Sequence, residues 1–402
     1  MTTRVNNNAD ALLFTHKVCV EAPQTLRSHR RIRLREILLA CLRAKRFDMK
    51  VRMTERSQIF KEDLEWISGA DLPWEKLIGS NILVTGATGL IGMTAVHALI
   101  HASRKRELGL HVYALVRDPE KAARVFGDLC GAPGLTLIKG TMEELPPLPD
   151  KISYWIHGAC PTASAFMIEH PVRVIRTSLE GTINLLEKAV HSETKGFVFL
   201  SSMEAFGEVR EEKLLDENAL GTVDLSRVRS CYPESKRMCE MICTSYAKEY
   251  GVPAMSIRLA QTFGPGVDYD DRRVFAMMTR NAINGEDIVL ATKGTSRHPY
   301  LYTAQAVTAI LTVLLCGAPG ETYNAANPAT YCSIYEMGEM VAREVAGGKI
   351  CVKVDEKGGA SRYPAPSFLK MDISKIERLG WKPEHDLVWM YRRLESYLRS
   401  VM

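Results

Sequence analysis

Tyr232 and Lys236 stand four residues apart in Tyr-Pro-Glu-Ser-Lys. On a helix that spacing puts both side chains on one face, about 6 Å apart along the axis. A free tyrosine titrates near 10, so it is no base at neutral pH. Lowering it by about 3 units needs roughly 4 kcal/mol of preferential stabilisation of the phenolate. A neighbouring ammonium supplies part of that. The spacing is common on helix surfaces, so the pair gains meaning from its company. Upstream lies Phe199-Leu-Ser-Ser202-Met-Glu204-Ala-Phe-Gly207. A serine at the end of a strand can bond a substrate hydroxyl and help pass its proton to the tyrosine. Read as an extended segment, Ser202 and Glu204 would point to one face.

A third motif lies earlier. Thr85-Gly86-Ala-Thr88-Gly89-Leu90-Ile91-Gly92 follows a β-branched run and opens a helical pattern. Gly86 permits a tight turn, Gly89 lets backbone approach a pyrophosphate, and Gly92 lets the helix pack closely on a sheet. The free N–H groups of the helix start favour an anion. The end of the second strand normally separates NAD from NADP, by a carboxylate for a 2′-hydroxyl or an arginine for a 2′-phosphate. Here it reads Leu115-Val116-Arg117-Asp118-Pro119. Val116 takes the carboxylate's place. Arg117 can hold a 2′-phosphate or stack on adenine. Asp118 can swing in, or cap the helix that Pro119 begins. The cofactor's phosphorylation state stays open.

These motifs need strands to carry them. Ile82–Thr85, His111–Val116, Leu135–Lys139, Tyr154–His157 and Phe197–Ser201 are short apolar runs, with helical stretches such as Leu90–Ser103 between them. Strands alternating with helices predict a parallel, doubly wound α/β sheet. Past Tyr250 the alternation loosens. Ala306–Cys316, the longest apolar run, is too short to span a bilayer and reads as a buried helix.

Composition agrees. Of 402 residues, 46% are apolar and 25% charged, which excludes a mostly disordered or fibrous chain. Residues 1–60 hold 13 Lys/Arg against 5 Asp/Glu, whereas the rest hold 39 against 42. The basicity thus belongs to an N-terminal extension, in which Arg27–Phe47 reads as a basic amphipathic helix. It is no argument for nucleic-acid binding. The ten cysteines form no Cys-x-x-Cys pair, so reduced thiols in a cytosol are expected, with no metal site. Neither a secretory leader nor a membrane partner is expected.

Taken together, the chain resembles the extended short-chain dehydrogenase/reductases of the nucleotide-sugar epimerase/dehydratase group. The resemblance covers about Asn81 to Pro383. Besides the three motifs it includes Arg258-Leu-Ala-Gln-Thr-Phe-Gly-Pro265, Tyr323-Asn-Ala-Ala-Asn327 and Leu379-Gly-Trp-Lys-Pro383. It implies a Rossmann-like sheet with a smaller C-terminal substrate-binding domain. Residues 1–77 would form the extension and a lead-in helix, 78–258 the dinucleotide-binding domain, and 259–402 mainly the sugar-nucleotide domain. It implies NAD as cofactor, NADP not being excluded, a nucleotide-diphosphate sugar as substrate, and a homodimer. The sugar would be oxidised at C4 and the hydride later returned. Tyr232 would be the base, Ser202 its partner and Lys236 the ribose anchor. Gly86, Thr88, Gly89, Leu90, Ile91, Gly92 and Arg117 would hold the dinucleotide, and Gln261, Arg273 and Arg297 the substrate.

Some positions depart from the family's pattern. Gln261 stands where an asparagine is common, His298 where an arginine usually meets the phosphates, with Arg297 adjacent, and Gln305 replaces a common aspartate. Glu204 discriminates among reactions. Dehydratases and sugar-acid decarboxylases resemble Ser/Thr-x-Glu here, and simple 4-epimerases Ser-x-Thr or Ser-x-Cys. As a base at C5, Glu204 would open elimination of water. Asp271-Arg-Arg273-Val-Phe275 resembles a segment of uridine-diphosphoglucuronate decarboxylases. The expected enzyme is a 4,6-dehydratase or a uronic acid decarboxylase. The alternatives are 4-epimerisation and NADPH-dependent carbonyl reduction.

Overall fold

The computed structural model describes residues 57–355 and 366–402. The basic helix expected at Arg27–Phe47 lies outside the described residues. Among the described residues no helix is long and apolar enough to cross a membrane.

The chain enters through α1 (Gln58–Gly69) and a single 3₁₀ turn at Trp74–Leu77. Phe60, Leu64 and Ile67 recur at helical spacing on α1 and are buried. There follow β1 (Asn81–Thr85), α2 (Leu90–Arg106), β2 (His111–Val116), α3 (Pro119–Phe126), β3 (Leu135–Lys139) and β4 (Tyr154–His157). Then come α4 (Ser164–Glu169), α5 (Pro171–Val190), β5 (Gly196–Ser202), β6 (Leu214–Leu215), α6 (Cys231–Tyr250), β7 (Ala254–Leu259) and β8 (Gln261–Phe263). The remainder holds α7 (Val274–Asn284), β9 (Ile288–Leu290), β10 (Arg297–Tyr302), α8 (Thr303–Cys316), β11 (Thr322–Ala325), β12 (Asn327–Ser333) and α9 (Ile334–Met340), and ends in α10 (Ser374–Glu377) and α11 (Leu387–Ser400).

Seven strands form one sheet in the order β11-β7-β5-β4-β1-β2-β3, every pair parallel. This is the doubly wound sheet that the alternation predicts. Both faces are covered, so the strands are apolar along their length. Side-chain alternation divides the core. Ile82, Val84, Val198, Leu200 and Ile257 face one layer. Leu83, Trp155, Phe197 and Phe199 face the other, with Leu185 and Leu186 of α5 and Cys239 and Cys243 of α6.

The second lobe is not one continuous segment. Its three-stranded sheet runs β12-β10-β8, and β6 pairs with Lys370–Met371. Between these pieces α8 packs on β5 and β7, and β11 returns to the edge of the main sheet. The apolar run read from the sequence is thus part of a central helix, buried from Thr303 to Leu315. The lead-in helix belongs to the core as well. Asp63 of α1 accepts from Arg393 of α11 at 2.7 Å and from the Tyr302 hydroxyl at 2.8 Å.

Candidate active site

Strand order reverses between β1 and β4, the usual place for a ligand crevice in an open α/β sheet. A cleft of about 1440 Å³ opens there. Single small-molecule pockets hold roughly 300–1,000 Å³, so there is room for two ligands side by side.

Its floor is the glycine turn. Gly86 has φ +68°, and a Cβ there would lie 2.6 Å from the Gly158 carbonyl at the end of β4. A Cβ on Gly92 would lie 2.3 Å from the Gly86 oxygen. Glycine is therefore forced at both positions, as the motif predicts. Gly86, Thr88, Gly89, Leu90, Ile91 and Gly92 all line the cleft. A buried polar chain holds the turn from below. The Thr85 hydroxyl accepts from Ala159 N at 3.2 Å and meets His157 Nδ1 at 2.8 Å. His157 Nε2 meets the Thr182 hydroxyl at 3.0 Å, and that hydroxyl donates to Ser178 O at 2.6 Å. Each hydroxyl has one proton, so the network assigns a neutral His157 protonated at Nε2. Burial, then the Lys236 charge, pushes His157 down to about 3. The cradle fits a dinucleotide pyrophosphate.

Across the cleft, Ser202 ends β5, and Tyr232 and Lys236 lie in the first two turns of α6. Lys236 is 3% exposed and donates to Leu200 O at 2.7 Å. Its ammonium sits 5.6 Å from the centre of the Tyr232 ring. Burial drives the Tyr232 phenol above its ordinary value of 10.0, with Cys160 and Glu204 adding to the rise. A hydrogen bond with Ser202 and the charge of Arg229 pull the other way. The structure thus brings Ser202, Tyr232 and Lys236 together, but these residues do not by themselves make the phenol acidic.

Glu204 corrects the reading from the sequence. The chain is not extended after Ser202. Met203–Phe206 is a 3₁₀ turn capped by the Ser202 hydroxyl, which accepts from Glu204 N at 3.2 Å. Capping therefore breaks the alternation on which the shared face was argued. The Glu204 carboxylate instead accepts from Arg229 at 2.8 and 3.0 Å. The Arg229 guanidinium lies 5.4 Å from the Tyr232 ring centre, and both Glu204 and Arg229 line the cleft. Arg229 carried no motif signal beyond standing three residues before Tyr232. The turn itself is rigid. Arg237 donates to Ala205 O, Gly221 O and Phe206 O at 2.7, 2.9 and 3.1 Å. Below it a buried Glu240–Arg258 pair, at 2.7 Å, receives the Ser201 hydroxyl.

Gln261 and Arg273 also line the cleft. Arg273 is held by Asp271 at 2.6 Å, just before the first turn of α7. Arg297 is not brought to the cleft. It pairs with Glu336 at 2.9 Å, while His298 lines the cleft instead. Alternation along β10 is the reason, since neighbours on a strand face opposite ways. Burial keeps His298 neutral, at about 4. Gln305 is wholly buried and donates to the Glu384 carbonyl. Asn324 is likewise internal, donating to Asp372 O at 3.0 Å and Leu215 O at 3.2 Å.

At the far end, Arg117 lines the cleft and is exposed. Asp118 caps α3, accepting from Lys121 N at 2.9 Å, with Pro119 at the first helical position. The capping alternative for Asp118 therefore holds. Lys121, which sequence reasoning missed, also lines the cleft.

The family model for the NAD dependent epimerase/dehydratase family matches residues 82–326, more than half of the chain. The chain belongs to that family. Members of the family are enzymes that use NAD, in agreement with the glycine cradle. UDP-glucuronic acid decarboxylase 3 of Arabidopsis thaliana is 29% identical over 304 residues, covering 75% of this chain and 84% of that protein. A dTDP-glucose 4,6-dehydratase of Streptomyces antibioticus is 25% identical over 325 residues, 80% of this chain and 92% of its own. In fold, the chain is similar to a dTDP-glucose 4,6-dehydratase of Streptomyces venezuelae solved with NAD bound. The TM-score is 0.65 at 20% identity, covering 79% of this chain and 97% of that one.

Proposed function

We propose that this family member decarboxylates a nucleotide-linked uronic acid through transient oxidation at C4. The observation that carries the reading is the Glu204–Arg229 pair beside Tyr232. On this reading a cation, rather than an unengaged base, faces the sugar's C5 substituent. A guanidinium is suited to a carboxylate. The family resemblance to UDP-glucuronic acid decarboxylases points the same way.

A dinucleotide of the NAD type would be held by the Gly86–Gly92 turn and Lys236, and would supply a reversible hydride acceptor for C4. Tyr232, with Ser202 as its hydrogen-bond partner, takes the proton from the C4 hydroxyl. Lys236 holds the phenolate and the ribose. The resulting β-keto acid needs no strong base. Its C5–carboxylate bond breaks, carbon dioxide leaves, and the electron pair remains as an enolate. Water in the cleft supplies the proton added at C5, and Tyr232 returns to the C4 oxygen the proton that it took. Arg229 orients the carboxylate before it departs.

The second reading is dehydration, in which Glu204 leaves Arg229 and takes the C5 proton. The similarity to dTDP-glucose 4,6-dehydratase favours it. A homodimer is part of the proposal. Val172 and Ile175 on α5 and Met238 and Met241 on α6 are exposed apolar side chains on two helices that pack against each other. A second copy would cover them.

Mass spectrometry of products tests the reading. The full-length enzyme is given a panel of nucleotide sugars in which each uronic acid is matched with its neutral parent. Loss of carbon dioxide from a uronic acid is expected. Loss of water from a neutral sugar would establish the second reading instead.

A further inference from the structure

We propose that the adenosine end of the cleft is built for a 2′-phosphate, so that this chain prefers NADP over NAD. This rests on the reading of the cleft as a dinucleotide site and departs from the cofactor that names the family.

A 2′-hydroxyl needs an acceptor at the tip of β2, commonly a carboxylate. Val116 has none. The nearest carboxylate in sequence, Asp118, is committed to its helix, where its Oδ1 accepts from Lys121 N at 2.9 Å. Glu143, which follows β3, the neighbour of β2 in the sheet, also lines the cleft. Its Oε1 accepts from the Thr177 hydroxyl on α5. That bond and the charge of Arg173 hold it below the usual range despite the opposing effect of burial. An unphosphorylated ribose would therefore meet an apolar side chain.

A 2′-phosphate would meet two cations. Arg117 and Lys121 are four residues apart, across the junction from β2 to α3, and both line the cleft. Among the described residues neither is in an ion pair with a carboxylate. Burial, then the charge of Arg117, pushes the Lys121 ammonium below its ordinary value, while Asp118 opposes the fall. The two cations thus stand close enough to repel. A phosphomonoester carries nearly two negative charges at neutral pH and would relieve that repulsion. Arg117 offers a planar fork to its oxygens, and Lys121 a point charge.

The test is direct binding. Dinucleotide that co-purifies with the full-length protein is released by denaturation and identified by mass. Protein freed of dinucleotide is then titrated calorimetrically with NADP⁺ and with NAD⁺. NADP should be the form recovered, and NADP⁺ should bind at least about tenfold more tightly, a margin that shrinks with salt. Replacing both cations, Arg117→Ala with Lys121→Ala, should bring NADP⁺ to parity with NAD⁺ while NAD⁺ affinity stays within about threefold. Val116→Asp should reverse the order. Equal or tighter NAD⁺ binding by the unmodified protein would overturn the inference, as would a double variant that weakens both ligands alike. Failure of both dinucleotides to bind would overturn the reading of the cleft as a dinucleotide site, and this inference with it.

Discussion

The floor of the cleft and its sugar-facing wall are held by different means. The floor is backbone and buried neutral groups: Gly86 and Gly92 in contacts that no Cβ fits, over a Thr85–His157–Thr182 chain. The wall is charge: Glu204 on Arg229 and Asp271 on Arg273, each partly exposed. A backbone cradle recognises what every dinucleotide shares. Partly exposed ion pairs exchange partners at small cost, since such pairs contribute about 0–1 kcal/mol. The floor should therefore tolerate almost nothing, and the wall should decide which sugar reacts and how.

The largest effect should fall on the group between them. Tyr232→Phe should lower kcat by about 10³-fold, within the usual range for a lost acid–base group, while dinucleotide affinity changes little. Single-turnover assays and calorimetry on the same variant would check both halves. Next, Gly86→Val should cut dinucleotide affinity by about 100-fold or more, because the new side chain meets the Gly158 backbone at a φ of +68°. Near-normal affinity would mean that the turn is not the cradle.

The wall should respond selectively. Arg229→Ala should raise KM for a uronic acid substrate by about 10- to 100-fold, as expected for losing a hydrogen-bonded charge, and leave KM for its neutral parent nearly unchanged. Equal effects on both would make Arg229 a support for Glu204 and nothing more.

How much of this was legible in the sequence follows the same division. The glycine turn, the first five strands and the Tyr232/Lys236 face are local patterns, and each fell where spacing placed it. The wall depends on partners distant in sequence. Glu204 and Arg229 are 25 residues apart, across a stretch whose one strand, β6, is two residues long. The segment from Ser202 to Glu204 read as extended, but the Ser202 hydroxyl caps a 3₁₀ turn and re-aims everything after it. Arg297 and His298 exchanged expected places because only the register of β10 says which of two neighbours faces the cleft. Lys121 was readable from its spacing to Arg117 once Asp118 was known to be a cap. The second lobe was least legible, because its strands come from separated parts of the chain.

The smallest effect concerns stability rather than turnover. His97, buried on α2, His157 under the glycine turn and His298 on β10 are pushed down by burial to about 4, 3 and 4. A group depressed in the folded state contributes stability above its unfolded value near 6.5, and loses it as pH falls toward the folded value. Each histidine can thus cost up to about 1.4 kcal/mol per pH unit over that window. Asp63 works against them, since burial raises it to about 6 and the folded protein takes up its proton first. Glu217, also raised by burial, sides with Asp63. Three groups outweigh two, so the urea midpoint should fall between pH 6.5 and pH 4.5. A flat or rising profile would show that these histidines are not held neutral.

The account stands most directly on the fate of one hydrogen. A nucleotide-linked glucuronic acid carrying deuterium at C4 is turned over by the full-length enzyme, and the product is examined by mass spectrometry and NMR. The prediction is a pentose that has lost carbon dioxide and retains deuterium at C4, because the hydride that is removed is the one returned. A decarboxylated product with protium at C4, or unchanged substrate where a neutral sugar is consumed, would contradict it.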